Sequence, residues 1–184
     1  MLEELRAETK PHATCLILVD TSGSMAGEKI DSVNRGIKTF LEQLNNDERS
    51  RDTVDVAIVK FDSTVSVVQE FMPASAVKEL PSLSSGGATA MGQGLEKAID
   101  MVLERKNLYN SQGVESYIPW IVMFTDGEPT DDILRAKQRL DAENAKSSSG
   151  RGRIQLWALA VEGADYDTLK SLTKRVLYVT ENDY

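Results

Sequence analysis

The 184-residue chain has one cysteine, one histidine and no long apolar run. With Cys15 alone, no disulfide can form within the chain. Cys15 sits inside the apolar run TCLILV, where a thiol is expected to pack as a small buried apolar side chain rather than to react. The one histidine, His12, precedes that run and reads as a solvated residue, so no His cluster, Ser-His-Asp set or Cys-His pair is in view. A membrane-spanning helix needs about 20 consecutive apolar residues, and no segment approaches that. The opening MLEELRAETK carries early glutamates and no long apolar stretch, unlike a signal peptide. These absences together lead to the expectation of a cytoplasmic protein. An excess of positive charge is also missing. Lys and Arg number 21 against 29 Asp and Glu, a net charge of −8, which argues against broad binding to nucleic acid or to an anionic membrane.

What is present describes an ordinary folded chain. Apolar residues make up 41% and charged residues 27%, and this length suits a single domain with one substantial core. TCLILV at 14–19 reads as a strand buried on both faces. Ile30, Val33, Ile37, Phe40, Leu41 and Leu44 recur at spacings of three and four, which predicts a helix over 27–44. NNDERS reads as a loop. Residues 53–60 and 64–71 read as two strands separated by FDS, an antiparallel hairpin. A helix at 91–103, a strand at 117–124, a helix at 131–145, a strand at 154–161, a short helix at 166–172 and a strand at 176–179 follow. This alternation predicts an α/β, Rossmann-like three-layer sandwich: a mostly parallel central sheet, one antiparallel edge strand, and helices on both faces. SSSGRGR at 147–153 reads as a solvated connection.

Ligands of open α/β sheets bind beyond the carboxyl ends of the strands, so the polar residues after each buried run are the informative ones. Asp20, Ser22 and Ser24 follow the first run, and Thr125, Asp126 and Gly127 follow the run that ends at Phe124. The loop SSGGATAMGQG at 84–94 carries Thr89. Two carboxylates and three hydroxyls form an all-oxygen donor set, with no thiol or imidazole. Such sets suit Mg²⁺, Mn²⁺ or Ca²⁺ rather than Zn²⁺. Each residue alone also has an ordinary role, as a turn former or a helix cap; it is their convergence that points to a metal.

The spacing Asp20-Thr-Ser22-Gly-Ser24, with Thr89 and Asp126 far along the chain, resembles the metal-ion-dependent adhesion site of von Willebrand factor A domains. The resemblance extends over about residues 13–180 of a single domain spanning 1–184. DTSGSM, GGATAMG and FTDGEPTDD are similar to bacterial A domains of the tellurium-resistance-associated type. The resemblance implies a non-catalytic module in which Ser22 and Ser24 bind the metal directly. Asp20, Thr89 and Asp126 would bind it directly or through water. An Asp or Glu of a partner protein would complete the shell, in a stress-response or tellurium-resistance assembly. Many A domains carry a long C-terminal helix that switches affinity; the sequence stops at RVLYVTENDY, so either the native protein continues or this form lacks that helix.

The competing reading is a metal-assisted phosphotransferase or hydrolase with Asp20 as nucleophile. The haloacid-dehalogenase pattern, however, wants an aspartate where Ser22 stands, and no Lys-Ser/Thr pair follows the glycine-rich loop as in a P-loop. Glu128, Thr130, Asp131 and Asp132 have two readings. One is a docking rim or supporting layer around Asp126. The favoured one takes Thr130 and the acidic pair as the start of the following helix, where negative charge suits the dipole. Met25 and Met91 read as gap fillers.

Overall fold

The computed structural model describes residues 10–179. Its centre is a six-stranded sheet built from β1 (Ala13–Asp20), β2 (Val54–Phe61), β3 (Val65–Pro73), β4 (Trp120–Thr125), β5 (Gln155–Ala160) and β6 (Val176–Tyr178). The spatial order is β3-β2-β1-β4-β5-β6. All neighbours are parallel except β2 and β3, which form the expected antiparallel edge. The register of that pair shifts twice, at Val56/Ile58 and at Ile58/Val59, and each shift leaves an extra residue on β3. The helices are α1 (Glu28–Asn46), α2 (Ser50–Thr53), α3 (Met91–Gln112), α4 (Leu134–Ala145) and α5 (Tyr166–Leu172).

The continuous apolar character of β1 has a direct cause. Leu16 and Leu18 pack into a cluster on one face with Leu95, Ile99 and Val102 of α3 and Ala136 and Leu140 of α4. Cys15, Ile17 and Val19 pack on the other face with Ile30, Val33, Ile37 and Leu41 of α1. A strand covered on both sides has no polar face to show. The four α1 side chains are each at most 9% exposed. Their burial contributes roughly 6–12 kcal/mol before the entropy of ordering is subtracted. On the α1 side, an apolar groove of about 800 Å³ runs along Cys15, Phe40, Leu44, Val122 and Leu159.

Several expected boundaries move. α3 runs on to Gln112, past the predicted end at 103. Its second half, ERKNLYNSQ, has no apolar stripe and is instead anchored by buried Arg105 and Tyr109, then closed by Gly113 at φ 69°. β4 begins at Trp120 rather than 117, after Pro119. The segment read as a loop at 45–50 gives its first residues to α1 and its last to the short α2. Met25 and Met91 are fully buried, in keeping with gap filling.

His12 is the clearest correction. It is 1% exposed, not solvated. Its Nδ1 lies 3.2 Å from Asp55 Oδ2. The same carboxylate accepts an Arg105 Nη2 bond at 2.9 Å and a short Tyr109 hydroxyl bond. Burial pushes the Asp55 carboxyl up, but bonds from His12 and Tyr109 and the Arg105 charge outweigh it and hold it below the ordinary range. These partners come from 12, 55 and 105–109, far apart in sequence, so local pattern could not reveal the cluster.

Candidate metal centre

The chain leaves β1 toward β2 on one side and reaches β4 on the other. The crevice between the carboxyl ends of β1 and β4 is therefore the topological switch point of the sheet, the usual ligand site of such folds. Asp20 is the last residue of β1, and Asp126 follows Thr125, the last of β4.

Asp20 is fully buried and both its oxygens are held. Oδ1 accepts the Ser22 amide at 2.9 Å, and Oδ2 accepts the Thr125 hydroxyl at 2.6 Å. The Thr125 oxygen in turn accepts the Gly127 amide at 2.9 Å. Burial pushes the Asp20 carboxyl up and the nearby Asp126 charge adds to this; the Ser22 and Thr125 bonds offset only part of it. Burial disfavours the charged form, and a second carboxylate nearby disfavours it further. The Ser22 and Ser24 hydroxyl oxygens lie 3.1 Å apart.

Asp126 is 4% exposed. Its Oδ1 has no hydrogen-bond partner among the described residues. Its Oδ2 lies 3.5 Å from Lys29 Nζ, in the first turn of α1. The Asp126 carbonyl accepts the Asp165 amide at 2.7 Å, which ties this loop to the start of α5. Gly127 adopts φ 81°, and a Cβ there would stand 3.0 Å from the Asp165 carbonyl oxygen, so the position has both conformational and steric reasons to be glycine.

The third loop is bonded to the other two. Gly86 N–H donates to the Thr21 carbonyl at 2.8 Å, and Gly23 N–H donates to the Gly87 carbonyl at 3.0 Å. Thr89 is buried. Its amide donates to the Thr130 hydroxyl at 3.0 Å, and its carbonyl accepts the Thr130 amide at 2.9 Å. This corrects the reading of Thr130, Asp131 and Asp132 as the first turn of the next helix, which begins at Leu134. Thr130 bridges to Thr89. The two oxygens of Asp131 accept the Gly92 and Gln93 amides at 2.9 and 3.0 Å, capping α3 rather than α4. Asp132 alone serves its own helix, accepting the Leu134 amide at 2.8 Å.

All five residues picked from the sequence thus lie on three mutually bonded loops at one end of the sheet. Asp20, Ser22 and Ser24 are linked directly, Asp126 adjoins them through Thr125, and Thr89 is joined through its backbone. Sequence reasoning passed over two contributors. Thr125 was visible beside Asp126 but ends a buried run, where its hydroxyl has no periodic signature. Lys29 gave no signal, because a lysine beginning an amphipathic helix looks like any solvated charge. Among the described residues, no three His, Cys, Asp or Glu side chains converge as a metal-holding group, so the carboxylates of the five-residue set are Asp20 and Asp126, and its other donors are hydroxyls.

Comparison with known proteins agrees with this architecture. The family model described as von Willebrand factor type A domain matches residues 16–183. Inter-alpha-trypsin inhibitor heavy chain H2 of Mus musculus is 26% identical over 179 residues, covering 92% of this chain. The chain spans only 18% of that relative's length. Among solved structures, a von Willebrand factor type A protein from Catenulispora acidiphila superposes with a TM-score of 0.66 at 20% identity, over 92% of this chain and 39% of that one. The pilus adhesin SpaC from Lactobacillus rhamnosus GG gives 0.68 at 14% identity, over 94% and 29%. At these identities the structural likeness speaks to the fold, and the family model to membership: the chain belongs to the von Willebrand factor type A domain family.

Proposed function

We propose that this chain is a metal-dependent protein-binding module. Asp20, Ser22, Ser24, Thr89 and Asp126 would hold a divalent cation, and an Asp or Glu of a partner protein would supply the remaining ligand. Domains of this family are generally non-catalytic interaction modules, which supports the first half of this reading. The observation that carries the second half is the Asp126 carboxylate. It is buried, and its Oδ1 has no hydrogen-bond partner among the described residues, a costly state that a bound cation relieves.

The all-oxygen donor set, two carboxylates and three hydroxyls, suits Mg²⁺, with Mn²⁺ or Ca²⁺ as alternatives. When bound, such an ion supplies a positive centre for an external carboxylate. The protein's own contribution is to hold Asp20 through Thr125 and Ser22, and to fix the three loops against one another.

The one histidine and the one cysteine lie away from this site. His12 is bonded to Asp55 at the opposite end of β1, roughly 25 Å of strand away from Asp20. The Cys15 thiol is pushed up to about 12 by burial. On the strength of DTSGSM, GGATAMG and FTDGEPTDD, the proposal extends to a bacterial, cytoplasmic stress-response assembly of the tellurium-resistance type. Calorimetric titration with Mg²⁺ is the test. The wild type should bind, and Asp126→Ala should lose tight binding while keeping a cooperative melt. Unchanged affinity in Asp126→Ala would refute the assignment.

A further inference from the structure

We propose that Lys29 is a built-in counter-cation that regulates occupancy of this site. Its ammonium stands in beside Asp126 when no divalent ion is bound, and must yield when one enters. The inference rests on the metal-binding reading above.

Three observations carry it. The first is the geometry of the pair. Lys29 Nζ lies 3.5 Å from Asp126 Oδ2, beyond the 2.7–2.9 Å or so of a charge-assisted hydrogen bond. The ammonium is thus held by charge rather than by a tight directional bond, and Oδ1 is left without a hydrogen bond. The lysine neutralises the carboxylate without saturating it.

The second is the position of Lys29 in its helix. It is the second residue of α1, where the helix dipole disfavours a cation. Helix stability therefore does not account for a lysine here, whereas the buried Asp126 carboxylate does. The third is the room left for it. A Cβ built on Gly163, in the turn after β5, would lie 3.6 Å from Nζ. The side chain is 27% exposed. The ammonium therefore runs between Asp126 and the 163 turn, with a route to solvent.

Charge counting turns this into a regulatory effect. Asp20 and Asp126 carry two negative charges that a divalent ion would balance by itself. Lys29 offsets one of them beforehand, so it stabilises the metal-free protein and weakens the metal's hold. It sets a threshold concentration below which the site stays in its lysine-paired form.

The test compares the wild type with Lys29→Met, Lys29→Gln and Lys29→Arg, using Mg²⁺ and Mn²⁺ alone as probes. Calorimetry should give about tenfold tighter binding in Lys29→Met and Lys29→Gln. Lys29→Arg, which keeps the charge, should stay within about threefold of wild type on the same grounds. In EDTA the Met and Gln variants should melt below wild type, and added Mg²⁺ should raise their melting temperatures by more than it raises that of wild type. Equal or weaker metal binding in both neutral variants, with the wild type binding normally, overturns the role of Lys29 alone. Absence of binding by all four proteins overturns the metal-site reading itself.

Discussion

Replacing Thr125 with Val keeps shape and burial and deletes one hydroxyl. That hydroxyl donates to Asp20 Oδ2 at 2.6 Å and accepts the Gly127 amide at 2.9 Å, and Thr125 is 0% exposed. The variant loses a hydrogen bond to a charged group, worth about 1.5–3 kcal/mol, and a neutral one worth about 1 kcal/mol, and water has no access to replace either. The expected destabilisation in EDTA is about 3 kcal/mol, or a melting temperature lower by on the order of 10 °C for a domain of this size. Because Asp20 also loses its lateral hold, Mg²⁺ affinity should fall in the same variant. Thr125→Ser is the control. It keeps the hydroxyl and gives up a methyl group worth about 0.8 kcal/mol, so it should be more stable than Thr125→Val. Chemical denaturation in EDTA measures both. If Thr125→Val lies within about 0.5 kcal/mol of wild type, the range of ordinary surface substitutions, or proves more stable than Thr125→Ser, the account of Asp20 positioning is wrong.

Two further outcomes are expected away from the metal centre. Asp55→Asn removes the charge that Arg105 pairs with inside the protein and should cost about 3–5 kcal/mol at neutral pH by urea denaturation. Because the Asp55 carboxyl is held below its ordinary value in the fold, the charged form's contribution is present above about pH 4 and is lost as pH falls further, through the folded-state value. Wild-type stability should therefore drop more steeply than that of Asp55→Asn below pH 4. Cys15, with its thiol pushed up to about 12, should resist a thiolate-specific disulfide reagent at pH 8 in native buffer and react promptly in denaturant; fast reaction in the native protein would contradict its burial.

The fold was legible because its strands announce themselves. TCLILV, IVMF and LWALAV are short apolar runs bounded by polar residues and read as strands, and the helical spacing between them points to parallel connections. β1 is covered on both faces, whereas Trp157 and Leu159 of β5 stay half-buried on the α1 side. The five candidate ligands were legible for a related reason: each follows the end of a buried run or opens a helix, and the strand order brings those ends together. What stayed hidden depends on contacts between distant segments. Nothing near His12 announces Asp55, Arg105 or Tyr109, and nothing near Thr130 announces Thr89. Asp131 was misassigned because an acidic residue just before a helix usually caps that helix, whereas here the loop turns it onto the amides of Gly92 and Gln93. A Cβ on Gly92 would stand 2.3 Å from the Asp132 carbonyl oxygen, and that close approach is what lets the foreign cap reach.

The sheet has two outer rims, and both discourage association with another copy. At one end β6 is three residues long, too short a template for an intruding strand. At the other, the two extra residues on β3 interrupt its regular bonding with β2 and add local twist, and Pro73 ends it without an amide hydrogen to offer. A chain whose proposed work is to grip other proteins side chain to metal thus keeps its backbone poorly suited to sticking by strand addition. Recognition and aggregation are separated in space, at the loop end of the sheet and along its flanks.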